Sequence, residues 1–264
     1  MVKTSIKTNP QDLRSDIRSG KWNQPTVGLA PGYVQANLVI LPKELSFDFL
    51  LFCQRNPKPC PILEVIEAGK VEPARLAPRA DLRTDLPSYR IFREGEFVGE
   101  EYAIKHLWRD NLVSFLLGCS FTFDSVLMDA GIPIRHIEEG KNIPMYVTSH
   151  ECVPAGIFTG PLVVSMRPIP SDKVAQVVEI TRRYPTMHGE PIHIGDPEAI
   201  GITDLSCPEY GDNVNMNAGE VPVFWACGVT PQAVAIRSKP STMITHSPGH
   251  MFITDLKNET LTTV

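Results

Sequence analysis

The sequence predicts an α/β fold of mixed sheets with flanking helices. The chain reads as one unit over 1–264, or as two interleaved subdomains, one α/β and one α+β. Three observations carry this. Short apolar runs of strand length recur, such as Leu162-Val163-Val164-Ser165-Met166, whose two apolar faces call for cover on both sides. Between them lie stretches of helical period, such as Lys173 to Arg183, where Val174, Val177 and Ile180 share a face. The 264 residues include 24 prolines and 18 glycines, which favours many short elements joined by fixed turns over long helices.

In chain order, residues 10–20 read as a short helix ending at Gly20. Tyr33 to Ile40 is a strand or a buried helix, ended by Pro42. Ser46 starts a helix over Phe47 to Arg55 so continuously apolar that burial on most sides is expected. Ile62 to Ile66 is a strand. Asp81 to Pro87 has no clear period, and Tyr89-Arg90-Ile91-Phe92 with the Glu94-Gly95-Glu96 turn reads as a hairpin. Glu100 to Leu117 fits one long helix, or two broken near Asp110. Phe121 to Ala130 fits another, stopped by Gly131. The second half changes texture: strands are expected at Asn142 to Ser149, Leu162 to Met166, Pro191 to Ile194, Val221 to Cys227, Met243 to Thr245 and Met251 to Thr254. An inner subdomain is expected at about 141–220. Alternation of strands with helices predicts some parallel pairing.

Composition excludes several function classes. A formal charge of −5 with no basic block is the wrong electrostatics for nucleic acid. No apolar run approaches the ~20 residues of a membrane span. The polar start, Met1 to Lys7, has no apolar core of an export signal, so a cytoplasmic protein is expected. Its six cysteines, Cys53, Cys60, Cys119, Cys152, Cys207 and Cys227, lack metal or redox spacing and read as reduced, mostly buried thiols.

Several side chains could carry chemistry. His193-Ile194-Gly195-Asp196-Pro197 and Cys227-Gly228-Val229-Thr230-Pro231 share a grammar: a reactive side chain ends a strand, then a glycine precedes a capped helix start. Asp196 and Thr230 suit N-caps, and the prolines suit the first helical position. Such starts bind anions. Cys227, just before a helix, is a candidate nucleophile of depressed pKa or a buried inert thiol. Cys119, at a helix break, reads as core. His193 is a candidate base oriented by Asp196, or a solvated strand-end histidine. His246 and His250 have helical ligand spacing, but Pro248 and Gly249 between them argue against a helix; a turn could still bring both rings into one pocket. In extended chain His136 and Glu138 share a side as an acid/base couple. Arg83, Arg135 and Arg167 are candidate carboxylate clamps. Arg167, ending a buried strand, requires a carboxylate partner from the protein or the substrate.

Longer stretches carry a resemblance. They are Pro31 to Leu38, Arg83 to Pro87, Val113 to Phe121, Arg135 to Glu138, Asn142 to Tyr146, Gly160 to Pro168, His193 to Pro197, Pro222 to Gln232 and Thr245 to Met251. Together they resemble the bacterial hydro-lyase family whose domain is shared with the mitochondrial D-glutamate cyclase, over roughly residues 10–256. The resemblance implies a lyase that cyclises D-glutamate to 5-oxo-D-proline with loss of water. Alternatives are elimination of water from a small hydroxy acid, or non-catalytic binding of a small carboxylate. The expected partner is a small dicarboxylate or amino acid, with homo-oligomerisation left open. The implied chemistry needs a base, an acid and an offset for carboxylate charge. Candidates are His136 or His193 as base, with Glu138 or Asp196; His246 and His250 as acid or metal contact; the three arginines as clamps; and Thr230 at a helix start. Cys227 is the covalent alternative. A divalent metal, Mn or Mg, fits the need for charge offset, with no ligand set assigned.

Overall fold

Side chains alternate across a strand, so a strand apolar on both faces must lie between two cores. The first long strand does so: Val34, Ala36, Leu38 and Ile40 enter one apolar cluster, Val39 and Leu41 another. The protein, a computed structural model, is described over residues 9–262. The polar stretch Met1 to Lys7 lies outside the described residues.

The helices are α1 (Pro10–Arg18), α2 (Lys43–Arg55), α3 (Phe121–Asp129), α4 (Arg135–Glu138), α5 (Val174–Arg182) and α6 (Thr230–Ser238). The strands are β1 (Tyr33–Pro42), β2 (Ile62–Ile66), β3 (Tyr89–Arg93), β4 (Glu96–Glu101), β5 (Leu112–Gly118), β6 (Met145–Glu151), β7 (Pro161–Pro170), β8 (His193–Ile194), β9 (Glu220–Ala226), β10 (Met243–His246) and β11 (Phe252–Lys257). The architecture is mixed α/β with two sheets. A seven-stranded sheet has the order β2-β5-β1-β10-β3-β4, with β11 also on β1; a four-stranded sheet has the order β6-β7-β9-β8.

Among the described residues every strand pairing is antiparallel. That corrects the expected parallel pairing. Helices follow strands here without returning the chain to a parallel neighbour. Local rules work at α1, where the Asn9 side chain accepts from the N–H groups of Gln11 and Asp12, Pro10 opens the helix, and Leu13 and Ile17 are buried. The hairpin of β3 and β4 turns at Glu94 and Gly95, both at positive φ, as a two-residue hairpin requires.

Two other readings fail. The helix expected over Glu100 to Leu117 is instead the end of β4, a 3₁₀ turn at Lys105–Leu107 and strand β5. Every residue of β5 is buried, and a run apolar on all sides has no period to separate helix from strand. Helix α2 starts at Lys43, and its apolar residues are not buried on most sides: Phe47 is 70% and Leu50 40% exposed, while Phe49, Phe52 and Cys53 face the core.

Strands β10 and β11 lie end to end along one edge of β1. β10 pairs at Val39 and Ile40, and β11 at Gln35 and Ala36. The chain between them, Ser247 to Met251, loops away opposite Asn37 and Leu38. This gap in the ladder makes room for the pocket described next.

Candidate active site

The pocket is lined by Asn37, Cys119, Ser120, Phe121, Ile143, Met145, His188, Cys227, Gly228, Val229, His246, Gly249 and Met251. It therefore lies where the middle of β1 and the ends of β5 and β10 meet β6 and β9, so both sheets contribute. Three glycines let the walls close in. A Cβ on Gly228 would stand 2.0 Å from the Asn37 amide nitrogen, and one on Gly249 2.5 Å from the Asn142 side chain. One on Gly118 would stand 1.8 Å from the Thr186 carbonyl oxygen. Asn37 donates its amide to the Gly118 carbonyl.

Two nine-residue helices start at this pocket: α3 after Cys119 and Ser120, α6 after Gly228 and Val229. Neither has a side-chain cap. Among the described residues the N–H groups of Ser120 and Gly228 have no protein acceptor. Two helix starts with free N–H groups make a positive environment for an anion.

His246 borders this space and is 1% exposed. Its Nδ1 lies 3.2 Å from the Leu38 N–H nitrogen and 3.3 Å from the Leu38 oxygen, so the ring occupies the gap in the ladder. Its Nε2 is buried without a partner. Burial, with smaller contributions from His250 and Arg90, lowers its pKa to about 4, so the ring is neutral at pH 7. Gln232 of α6 and Thr245 both donate to the His246 carbonyl, which fixes the backbone behind the ring.

Ser120 connects the pocket to a buried ionic group. Arg167 is fully buried, donates its Nη2 to Ser120 Oγ at 3.1 Å, and pairs with Asp124 at 2.7 Å. It lies between Phe123 and Trp225, 5.1 and 5.2 Å from their ring centres. Burial opposes charge on Asp124, but Arg167 and His136 hold its pKa below the ordinary value. Its other oxygen is 3.5 Å from His136 Nε2, and neither atom makes a hydrogen bond of good geometry. With one lone pair of Ser120 Oγ taken by Arg167, the hydroxyl proton is free to donate.

The expected site residues are thereby sorted. Cys227 and His246 line the pocket, but burial raises the Cys227 thiol to about 11, which corrects the expected depressed pKa. A neighbouring helix start does not offset full desolvation. Cys119 also lines the pocket, its thiol raised further by burial. Thr230 is buried and occupied with the Val163 backbone and the Cys227 carbonyl, to which it donates at 2.7 Å. It is the first residue of α6 rather than its cap.

The other candidates lie elsewhere. The His136–Glu138 couple does not form. Residues 135–138 are helix rather than extended chain, so His136 turns inward to Asp124 while Glu138 stays half-exposed, 3.6 Å from Arg135. Arg135 is paired with Glu220 and Arg83 with Asp81. The His193 ring contacts the Asp196 backbone carbonyl at 2.6 Å, while the Asp196 carboxylate caps a four-residue 3₁₀ turn; the parallel with the Cys227 segment ends there. His250, its pKa lowered by burial, bonds to the Pro248 carbonyl. It is not among the residues lining the pocket. Among the described residues no three His, Cys, Asp or Glu side chains gather as a metal site. Among the described residues no helix is long and apolar enough to cross a membrane.

Sequence reasoning missed His188, Ser120 and Asn37. Asn37 had a signal, being with Gln35 one of two amides inside an otherwise apolar strand. His188 follows the 3₁₀ turn Pro185–Met187 and adopts φ 75°; only the neighbouring Pro185 and Gly189 marked the turn.

The family model for D-glutamate cyclase matches residues 113–255. A relative from Thermoanaerobacter sp. strain X514 is 62% identical over 252 residues, covering 96% of this chain and 95% of its own. One from Geobacillus kaustophilus is 60% identical, covering 95% of each chain. One from Bacillus subtilis strain 168 is 57% identical, covering 96% and 98%. All three bear the name "Putative hydro-lyase". Likeness to a solved nitrogen repressor-like protein of Methanococcus jannaschii is slight, at TM-score 0.39 and 11% identity over 90% of this chain and 91% of that one. It decides nothing about function.

Proposed function

Because this chain belongs to the hydro-lyase family built on the D-glutamate cyclase domain, we propose that it removes water from D-glutamate to form 5-oxo-D-proline. The observation that supports this reading is the convergence of two helix starts and the partnerless Nε2 of His246 on one buried pocket. At neutral pH the substrate carries one ammonium and two carboxylates. The α-nitrogen attacks the γ-carbon, an N–C bond forms and a C–O bond breaks. The ammonium loses two protons and the departing oxygen gains two, so no net acid or base is consumed. What the reaction needs is a neutral proton carrier and an offset for charge on the γ-carboxyl oxygens.

The pocket offers both. Two neutral histidines, His188 and His246, border it, while the helix starts and the Ser120 hydroxyl present donors to an anion. Arg83, Arg135 and Arg167 are each paired with a protein carboxylate, so the helix starts take over the anchoring expected of an arginine clamp.

The test is direct. Purified protein with D-glutamate should yield 5-oxo-D-proline, read by chiral chromatography, with L-glutamate turned over more slowly. His246→Ala should lower kcat by about 10²-fold or more. No product from D-glutamate, with or without Mn²⁺ or Mg²⁺, rejects the reading.

A further inference from the structure

Two neutral histidines border the pocket, His188 and His246, each 1% exposed. Each is held through Nδ1 by a different kind of backbone group. We infer that they are locked in opposite tautomers, His188 offering a lone pair at Nε2 and His246 an N–H, so that His188 carries protons and His246 holds the oxygen that becomes the lactam carbonyl. The assignment of roles rests on the cyclisation reading; the tautomers do not.

His188 Nδ1 lies 2.6 Å from the Lys58 carbonyl oxygen. A carbonyl only accepts, so Nδ1 carries the ring proton and Nε2 is bare. The bond through Nδ1 is the one that the ring makes among the described residues, and Nε2 makes none to the protein. The backbone places the ring at a cost, since φ 75° is uncommon for any residue but glycine. The turn is held by the Met187 and Gly189 N–H groups on the Tyr184 carbonyl, at 2.8 and 3.0 Å. A strained, buried side chain with an unused basic nitrogen at a pocket is a candidate for chemistry. Burial lowers its pKa to about 4, in keeping with a neutral ring.

His246 is the reverse case. Leu38 lies in the gap between β10 and β11, so its N–H has no strand to donate to. Buried N–H groups are almost never left orphaned, whereas a carbonyl tolerates it better. Nδ1 therefore accepts from Leu38, and the ring proton is on Nε2, where it has no protein acceptor. A substrate oxygen completes it.

The steps balance. His188 takes a proton from the ammonium, and the amine attacks the γ-carbon. The imidazolium returns that proton to the oxygen that will depart. The second nitrogen proton follows by the same nitrogen, water leaves, and His188 ends neutral. His246 donates a hydrogen bond throughout without giving up its proton, the role a neutral imidazole can fill at a polarised carbonyl.

Two-bond ¹H–¹⁵N spectra of the intact protein at pH 7 read the tautomers. Signals are assigned by their loss in His188→Asn and His246→Ala, or by contacts to Met187 and Leu38 if a variant does not fold. A proton on Nδ1 of His188 and on Nε2 of His246 is expected; the reverse in either ring overturns the assignment. Asn tolerates the left-handed backbone and can still donate to the Lys58 carbonyl, but is no base. His188→Asn should therefore lower kcat by about 10²- to 10⁴-fold with KM changed only a few-fold. If wild type cyclises D-glutamate and His188→Asn keeps its kcat, the proton-carrier role is overturned. If wild type makes no 5-oxoproline, it is the cyclisation reading that fails, and the spectra still decide the tautomers.

Discussion

Arg167 reads from the sequence as a cation that must find a carboxylate, and it does: the partner is Asp124, 43 residues away in the chain. Nothing in local spacing identifies that partner, because strand β7 and helix α3 meet only in the folded chain. The pair also changes what Arg167 is for. It cannot clamp a substrate while it holds Asp124; instead it fills one lone pair of Ser120, which borders the pocket. Arg167→Ala should cost about 3–5 kcal/mol in urea unfolding, because it leaves Asp124 buried without its cation. The double variant Arg167→Met with Asp124→Leu should recover most of that loss. Equal destabilisation in both would show that packing between Phe123 and Trp225, not charge, dominates. His188 marks the opposite limit of legibility. Its fitness for chemistry comes from a left-handed backbone and a carbonyl 130 residues away, neither visible in a window of sequence.

At the scale of elements, patterning served well wherever one face of an element meets solvent. Helices α1, α3 and α5 and the hairpin of β3 and β4 follow from caps, turns and period. It failed at β5, where burial on every side erases the period, and at residues 135–138, where four residues are too few to show one. The glycine that ends β5 couples this strand to the pocket. A methyl on Gly118 would meet the Thr186 carbonyl oxygen at 1.8 Å, two residues before His188. Gly118→Ala should push that turn away, costing about 1–3 kcal/mol and lowering kcat along with it. Urea unfolding and steady-state rates measure both. Wild-type stability would mean that the turn moves freely, against the tight packing described.

Across the whole molecule, buried histidines make stability depend on pH. His188 and His246 are lowered from 6.5 to about 4 by burial, and His136 and His250 are lowered in the same direction. A lowered pKa means that the unfolded chain binds protons the native chain refuses. For His188 and His246 the stability is fully present above about 6.5 and is lost as pH falls from there toward about 4, by about 1.4 kcal/mol per pH unit for each of the two, and His136 and His250 act in the same direction. Urea midpoints at pH 7.5, 6 and 5 should fall in that order. A flat series would mean that these rings are not buried neutral.

The sequence by itself determined the α/β class, most element positions and, through its longer motifs, the family. These follow from local period, turn chemistry and composition, which a single chain segment carries. Only the tertiary structure decided the antiparallel pairing and the collinear β10 and β11 with their gap at Leu38. It also decided which candidates share a pocket: Cys227 and His246 with Ser120, Asn37 and His188, but not His193 or the arginines. A site is a convergence of segments far apart in the chain, and the forces that bring them together are non-local burial and the satisfaction of buried polar groups.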